Sequence, residues 1–220
     1  MNRPPLTGQA EDYLKAIYEL EQRGDSAGTN DIATRLGIAA ASVSGMIPRL
    51  ARLGLVRAER YKGARLTSAG RAAALQLIRR HRIIESYLVE RLGFGWENVH
   101  GEAERLEHAA SDELIARMAD AIGNPTADPH GAPIPTESGE VDETRLDSIN
   151  DLPEGTEAVV VRMSDRDPEF LRYLDGLGIR PGASVKLAVR APFDGPVTIE
   201  VDGARHAIGA NVAARVFIKE

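Results

Sequence analysis

The order of predicted elements between residues 29 and 67 constrains the fold more than any other feature of the sequence. A short helix that ends at Gly37 is followed by a tight turn and a second helix that ends at Gly54. Two short strands joined by a basic turn at Lys62-Gly63 come next. Helix, turn, helix and hairpin in this order are typical of a winged helix-turn-helix. We therefore expect a DNA-reading domain in this part of the chain.

Polar residues occur where such a domain presents them to DNA. The second helix opens with small hydroxyl residues, arginines follow on its exposed side, and the hairpin is basic. A single arginine could equally be a solvated side chain, but the ordered set is much more specific. The predicted DNA-contacting residues are Ser42, Ser44, Arg49, Arg52, Arg60, Lys62 and Arg65. Pro48 lies past the first turn of the second helix, which predicts a kink or a shortened recognition helix.

Charge is distributed unevenly along the 220 residues. The whole chain has a net charge of −6. Residues 1–75 contain eleven basic and seven acidic residues, a charge of +4, which leaves 16 basic and 26 acidic residues and a charge of −10 for the remainder. A basic first part favours a polyanionic partner, and an acidic remainder favours cations.

Composition excludes several kinds of site. The chain has no cysteine, so disulfides, thiolate metal sites and cysteine nucleophiles are absent, and any metal site must use nitrogen and oxygen ligands. No apolar run is long enough to span a bilayer, and the first residues do not form a signal peptide. These observations fit a cytoplasmic protein.

Carboxylates and imidazoles recur at helical spacing in the middle of the chain. Glu104, Glu107 and His108 occupy positions i, i+3 and i+4, which place their side chains on one face, and His100 lies one turn earlier. His81 and Glu85 are also spaced i, i+4, on a long predicted helix from Thr67 to Leu92. Such faces suit a divalent cation, but a solvated polar face paired with neighbouring basic residues explains the first set equally well.

The second half of the chain changes character at about residue 123. Residues 123–153 are rich in Pro, Gly and Asp and predict a loop and linker. Within them, Asp128-Pro129-His130 holds two ligand-type side chains close together. From Gly155 onwards, four or five short strands and one short helix predict a small barrel. The apolar stripes of the long helices before the linker predict a dimer interface.

Taken together, these motifs resemble the diphtheria toxin repressor family of metal-dependent regulators along nearly the whole chain. The resemblance extends through YLKAIYELE, the winged helix, RRHRIIESYL, VHGEAERLEH, DPHGAPIP and the C-terminal strands. It implies a mainly α fold with a small β domain. The implied domains are a winged helix over residues 1–75, a helical metal-binding and dimerisation domain over 76–140, a linker over 141–154 and an SH3-like, FeoA-like domain over 155–220.

The resemblance also implies two metal sites. The primary site is carried over onto Asp12, Glu104, Glu107 and His108. The second site is carried over onto His81, Glu85, His100, Asp128, His130 and Asp165, with Asp167 or Glu169 as alternatives to Asp165. Four of the five histidines of the chain fall on these positions, and only His206 does not.

The choice of metal depends on two of these positions. The iron-sensing branch of the family has Met and Cys where this chain has Asp12 and Glu104, so the chain resembles the manganese-responsive branch. Carboxylate and imidazole ligands suit Mn(II) as well, although Fe(II) tolerates them.

The expected function is therefore a Mn(II)-activated homodimeric repressor that binds a palindromic operator in double-stranded DNA and controls metal-uptake genes. We expect no enzymatic activity and no membrane association. The alternatives are an Fe(II)-responsive regulator of the same family, a metal-independent DNA-binding regulator and a metallohydrolase.

Overall fold

The chain divides into two compact units that do not follow the linear order of the sequence. The computed structural model describes residues 6–22, 24, 27–59, 63–164, 167–193 and 195–219. Unit one comprises Met1–His81 and Pro135–Glu143, and unit two comprises Arg82–Ile134 and Thr144–Glu220. The chain therefore passes from one unit to the other three times.

Unit one contains the winged helix-turn-helix. Its helices are α1 (Gly8–Gln22), α2 (Thr29–Leu36), α3 (Ala40–Arg52) and the first half of α4 (Ser68–Leu92). An antiparallel hairpin of β1 (Val56–Glu59) and β2 (Gly63–Leu66) completes it. The helical periodicity of the sequence produces this packing, because the apolar stripes of three helices meet in one core. Fully buried members of that core are Leu14, Ile17, Ile32, Val43 and Leu50.

The recognition helix α3 continues through its proline. It runs from Ala40 to Arg52 with Pro48 inside, so the predicted shortening is wrong. Pro48 is on the exposed side, while Val43, Met46 and Leu50 are buried. The proline removes one amide donor from the helix, and burial of the opposite face keeps the helix intact. The alternative expectation of a kink stays a prediction.

Part of the predicted linker belongs to unit one. The hydroxyl group of Tyr18 donates a hydrogen bond to Glu143 Oε1 at 2.6 Å, and Arg71 forms an ion pair with the same carboxylate at 2.5 Å. The guanidinium of Arg71 lies 5.1 Å from the centre of the Tyr18 ring. Val141 packs against the core of the winged helix. Residues 135–143 are therefore a strap attached to the DNA-reading domain.

The helical part of unit two is small. It contains the second half of α4, α5 (Val99–Leu106) and α6 (Asp112–Ala121). Helix α5 is shorter than the stretch predicted to be helical, because Glu107 and His108 follow it in a turn. Glu107 still has helical dihedral angles (φ −59°, ψ −30°), so the predicted spacing is kept at this residue.

A six-stranded antiparallel sheet forms the rest of unit two. Its strand order is β3-β8-β4-β5-β6-β7. The bounds are β3 (Asp147–Ser148), β4 (Glu157–Met163), β5 (Ser184–Arg190), β6 (Val197–Val201), β7 (Ala204–Ile208) and β8 (Val216–Lys219). A 3-10 turn (Ile149–Asp151) and the helices α7 (Pro168–Gly176) and α8 (Ala210–Ala213) connect the strands.

The sheet contains two strands that the sequence pattern did not predict. β3 has two residues, and in β7 only Ile208 is buried, so neither carries the apolar alternation of a half-buried strand. The sequence pattern predicts that the last strand covers residues 213–218, but Ala213 belongs to α8 and the strand begins at Val216. The mainly α architecture with a small β domain is confirmed. Within the described part of the chain, no helix combines the length and the apolar character that crossing a membrane requires.

Candidate metal centres and nucleic-acid interface

The exposed side of α3 carries the residues predicted to contact DNA. Ser42, Ser44, Arg49 and Arg52 are all exposed, and Arg65 is exposed on β2. The Ser44 hydroxyl donates to the carbonyl of Ala40 at 3.2 Å, within the helix itself. Arg60 and Lys62 lie outside the described residues. The described members therefore present hydroxyl groups and positive charge on unit one.

The hairpin is fixed to the rest of unit one by close backbone contacts. The amide of Ala64 donates to the carbonyl of Ala27 at 2.9 Å. At Gly63 (φ +85°) a Cβ atom would lie only 2.2 Å from that same carbonyl oxygen, so this position requires glycine. The amide of Leu66 donates to Oε1 of Glu21, in the last turn of α1, at 3.1 Å. These contacts hold β2, and Arg65 with it, in a defined position.

The carboxylate and imidazole residues at the end of α5, Glu104, Glu107 and His108, are called the α5 group below. His108 Nε2 lies 3.8 Å from Glu107 Oε1. The Glu107 side chain is 2% exposed, whereas that of Glu104 is 54% exposed. The group therefore contains one buried carboxylate, that of Glu107, and two more accessible potential metal ligands, Glu104 and His108.

His100 connects two of the predicted sites. Its Nδ1 lies 3.1 Å from Glu85 Oε1, and its Nε2 lies 3.4 Å from Glu104 Oε1. Glu85 is fully buried on α4, and His81 precedes it by one helical turn and is also buried. The imidazole of His100 thus joins Glu104 of the α5 group to Glu85 of α4.

The second predicted site falls into two sets that share Glu85. In one set Glu85 contacts His100, and His81 is a predicted member because it precedes Glu85 by one turn of α4. The other contains Asp128 and His130, and we call Glu85, Asp128 and His130 the buried group. One potential ligand atom from each of its three residues lies within 4.8 Å of the others, and all three residues are buried.

His130 is oriented by a backbone carbonyl. Its Nε2 and the carbonyl oxygen of Trp96 are 2.8 Å apart, and since a carbonyl only accepts, Nε2 carries the proton. The other ring nitrogen, Nδ1, lies 3.9 Å from Glu85 Oε2 and 3.9 Å from Asp128 Oδ1. Among the described residues, Nδ1 has no hydrogen-bond partner. Whenever the ring is neutral, Nδ1 offers a buried lone pair that is suited to bind a cation.

Asp128 is held by the turn that it begins. Its Oδ1 accepts from the amides of His130 at 2.8 Å and Ala132 at 2.9 Å. Its Oδ2 lies 3.5 Å from Arg82 Nε on α4, and Arg82 also donates to the carbonyl of Pro133. One carboxylate oxygen thus stabilises the backbone, and the other faces a positive charge.

The same turn attaches the sheet to the helical part of unit two. The amide of Met163 on β4 donates to the carbonyl of His130 at 3.0 Å. At Gly131 (φ +81°) a Cβ atom would lie 1.8 Å from the carbonyl oxygen of Val161. Trp96 is buried in the hydrophobic core of the sheet domain, and its ring centre lies 5.6 Å from that of His130. The buried group therefore lies in a structural junction.

Three residues that matter here were not predicted from the sequence. Trp96 orients His130, Arg82 faces Asp128, and Lys15 contacts His81. Of these, only Lys15 had a signal in the sequence. It follows Asp12 by three residues and interrupts the apolar face of α1, where a charge has to be compensated.

Two predicted ligands remain to be placed. Asp12 is half-buried on α1 of unit one. Asp165 lies outside the described residues. Of its alternatives, Asp167 caps α7 by accepting from the amides of Glu169 and Phe170 at 3.1 and 3.2 Å, and Glu169 is exposed in the first turn of that helix.

The donor chemistry of these residues fits a divalent cation of intermediate hardness. Every described candidate ligand is a carboxylate or an imidazole, and the chain has no thiolate. Mn(II) and Fe(II) accept both ligand types, and Zn(II) also binds them.

Comparison with family models identifies the three parts of the chain. Residues 5–64 match "Iron dependent repressor, N-terminal DNA binding domain", residues 67–136 match "Iron dependent repressor, metal binding and dimerisation domain", and residues 148–220 match "FeoA domain".

The chain belongs to the iron-dependent repressor family. It is 36% identical to the iron-dependent repressor IdeR of Mycobacterium tuberculosis over 211 residues, which are 90% of each chain. It is 30% identical to the diphtheria toxin repressor of Corynebacterium diphtheriae, with 98% of each chain covered. The family consists of metal-dependent DNA-binding transcriptional repressors and not of enzymes, so the predicted function class is confirmed.

Solved structures agree with this family assignment. A "Manganese-dependent transcriptional repressor complex with manganese" is 38% identical, with a TM-score of 0.90 over 95% of this chain and 98% of that one. The manganese regulator SloR is 31% identical, with a TM-score of 0.81 over 98% and 100%. A DNA-binding domain and a dimerisation domain indicate DNA and a second copy of the chain as partners. Leu92, Phe94 and Leu114 in unit two are exposed large apolar residues that fit such an interface.

Proposed function

We propose that this member of the family is a Mn(II)-activated homodimer that binds a palindromic operator in the cytoplasm and represses metal-uptake genes. The observation that carries the choice of metal is the donor set. Asp12 and Glu104 occupy the positions where sulfur ligands would favour other metals, and the chain has no cysteine at all. The named solved structures favour manganese, whereas the named sequence relatives favour iron.

The proposed primary site combines Asp12 of unit one with Glu104, Glu107 and His108 of unit two. A bound divalent cation supplies the positive charge that offsets repulsion among the three carboxylates. Asp12 is on α1, which packs against α2 of the helix-turn-helix. A cation bound by Asp12 would therefore act on an element of the DNA-reading domain. The coupling free energy is the difference in cation affinity between the DNA-competent state and all other states.

The proposed second site uses His81, Glu85 and His100, with Asp128, His130 and Asp165 as further ligands. The 3.1 Å contact between His100 and Glu85 supports the first set. The available lone pair of His130 Nδ1 supports the second set. Because Asp128 and His130 lie in the junction with the sheet domain, this site would reinforce the attachment of that domain.

The proposed DNA contacts come from α3 and the hairpin of residues 1–75. Ser42, Ser44, Arg49 and Arg52 contact the major groove and its phosphates, and Arg60, Lys62 and Arg65 contact the backbone beside it. We also propose that residues 76–140 form the metal-binding and dimerisation domain and that residues 155–220 form the SH3-like domain. Residues 141–154 are the proposed linker between these two domains.

Titration of DNA binding against metal ions tests the proposal. Metal-stripped protein is mixed with a labelled fragment of its own promoter region, and Mn(II), Fe(II), Zn(II) and Co(II) are added separately. We expect Mn(II) to promote binding at the lowest free concentration and a chelator to reverse it. Binding that is independent of metal would contradict the proposal, and a stronger response to Fe(II) would favour the iron-responsive alternative.

A further inference from the structure

A buried lysine lies against one of the proposed metal ligands. Lys15 on α1 is 7% exposed, and its Nζ lies 3.2 Å from Nδ1 of His81 on α4. His81 is itself 4% exposed, and both residues belong to unit one. Burial of an ammonium group costs several kcal/mol unless polar groups compensate it. The imidazole lone pair of His81 provides part of that compensation.

The direction of this hydrogen bond follows from the chemistry of the two groups. An ammonium group has three donors and no acceptor, so Lys15 donates and His81 Nδ1 accepts. The proton of the neutral imidazole is therefore on Nε2. In this state neither nitrogen of His81 offers a free lone pair.

Cation binding by His81 is incompatible with this contact through either nitrogen. If Nδ1 is the ligand, the cation needs the lone pair that Lys15 occupies. If Nε2 is the ligand, the proton moves to Nδ1, and two donors then face each other at 3.2 Å. In both cases Lys15 has to leave its place beside the ring.

We propose that Lys15 is a built-in competitor of the metal ion at His81. Its ammonium group holds His81 in a form that does not bind a cation, so the second site accepts an ion only when Lys15 moves away. The apparent affinity of the second site is reduced by the fraction of molecules in which Lys15 occupies His81. This inference rests on the assignment of His81 as a ligand in the proposed function.

The position of Lys15 also connects the two proposed sites. Lys15 follows Asp12 by three residues on α1, so both side chains project from the same side of that helix. A change at Asp12 and a change at Lys15 therefore act on one element of the DNA-reading domain. We infer that filling the second site reports to α1 through the release of Lys15.

Metal binding by the full-length protein tests the proposal. Metal-free wild type, Lys15→Met and Lys15→Arg are titrated with Mn(II), and free Mn(II) is measured by its electron paramagnetic resonance signal. Methionine preserves the length and burial of the side chain but not its donors. We expect Lys15→Met to tighten the weaker class of sites about tenfold, within the usual range of coupling, and Lys15→Arg to remain close to wild type.

Two controls distinguish competition from indirect effects. Lys186→Met removes a positive charge from an exposed position on β5 and should leave Mn(II) binding unchanged. In the double variant Lys15→Met with His81→Asn, the gain should disappear. Equal Mn(II) affinity of Lys15→Met and wild type, or the same gain without His81, would overturn the proposal.

A second measurement does not involve metal. Nitrogen-detected NMR of the histidine side chains in the metal-free wild type should show His81 protonated at Nε2, and Lys15→Met should lose that fixed tautomer. If wild type binds no Mn(II) at all, the proposed function fails. If wild type binds Mn(II) but Lys15→Met changes neither affinity nor tautomer, only the present inference fails.

Discussion

The buried group and the α5 group of unit two carry the same types of side chain in very different surroundings. His130 is fully buried and held by the carbonyl of Trp96, and Asp128 is held by two backbone amides and faces Arg82. In the α5 group, the Glu104 and His108 side chains are 54% and 27% exposed. The presence of carboxylate and imidazole side chains therefore does not by itself distinguish a structural junction from an accessible candidate metal site.

The difference lies in what else holds the residues. A buried side chain that is held by hydrogen bonds within the protein contributes to stability whether or not an ion is present. A partly exposed side chain contributes less to the free energy of unfolding, and solvent can deliver an ion to it. We therefore expect substitutions in the buried group to act mainly on stability and substitutions in the α5 group to act mainly on the metal response.

The largest expected effect is that of His130→Ala. It removes a fully buried ring and leaves the carbonyl of Trp96 without its donor, which should lower the free energy of unfolding by about 3 kcal/mol. Urea denaturation of the metal-free protein measures this change. His206→Ala, a half-buried histidine on β7 of the same unit, is the matched control and should change stability by less than about 1 kcal/mol. If both variants lowered the free energy of unfolding equally, the special structural role assigned to the buried group would be contradicted.

The next effect is that of His108→Ala in the α5 group. Loss of one imidazole ligand should weaken Mn(II)-dependent DNA binding by about tenfold to a hundredfold, within the usual range of coupling between sites. Because the ring is partly exposed, the free energy of unfolding should stay within about 0.5 kcal/mol of wild type. Arg105→Ala, on the exposed side of α5, provides the control for DNA binding. An unchanged metal response in His108→Ala would remove this residue from the proposed site.

Asp128→Asn sharpens the comparison within the buried group. The amide oxygen of asparagine can still accept from the backbone of His130 and Ala132, so the turn should survive with a loss of about 1 kcal/mol. Asp128→Ala should cost more, because the two amides lose their acceptor. Thermal melting of both variants with and without Mn(II) measures the difference. If Mn(II) stabilises wild type far more than Asp128→Asn, the carboxylate charge contributes to metal binding as well as to the turn.

The smallest expected effect concerns Glu143 of unit one, whose carboxylate is held by Tyr18 and Arg71. Partial burial of Glu143 by itself would raise the pKa of its carboxyl, but hydrogen bonds from Arg71 and Tyr18 and the charge of Arg71 together lower that pKa below its ordinary value. A lowered pKa in the folded state means that the carboxylate stabilises the protein above its unfolded pKa. That contribution is lost as the pH falls through the folded pKa.

Glu143→Gln should therefore destabilise the protein near neutral pH by less than about 1 kcal/mol, since the ion pair is partly exposed. The difference from wild type should shrink as the pH falls below the ordinary glutamate pKa of about 4.3, because the wild-type carboxyl then takes up its proton. Denaturation curves at several pH values measure it, with Glu140→Gln on the same strap as control. A difference that does not depend on pH would contradict the role of the carboxylate charge.

Much of the fold could be predicted from local pattern. The helices α1 to α4 and the strands β4 to β6 have a periodicity that their burial explains, because an apolar stripe is buried wherever a neighbour is available. Strands β3 and β7 were missed since they are held by backbone pairing with β8 and β6, which leaves no apolar signature. The continuity of α3 through Pro48 depends on packing of the opposite face, which a local rule does not include.

Candidate ligands could also be found by spacing, but their connections could not. The i, i+4 rule brings His100 to Glu104 and His81 to Glu85 along single helices. It does not bring His100 to Glu85, or His130 to Trp96, because those contacts depend on how separate segments pack.

The sequence by itself determined the helical and strand periodicity, the absence of thiolate ligands and the spacing of carboxylates and imidazoles. These are local properties, and local geometry turns them directly into elements and faces. Only the tertiary structure decided that Glu85 lies beside both His100 and His130, that Trp96 orients His130 and that Lys15 occupies the lone pair of His81. Such contacts join residues far apart in the chain, and the free energy that selects them comes from burial of the whole unit and not from any one segment.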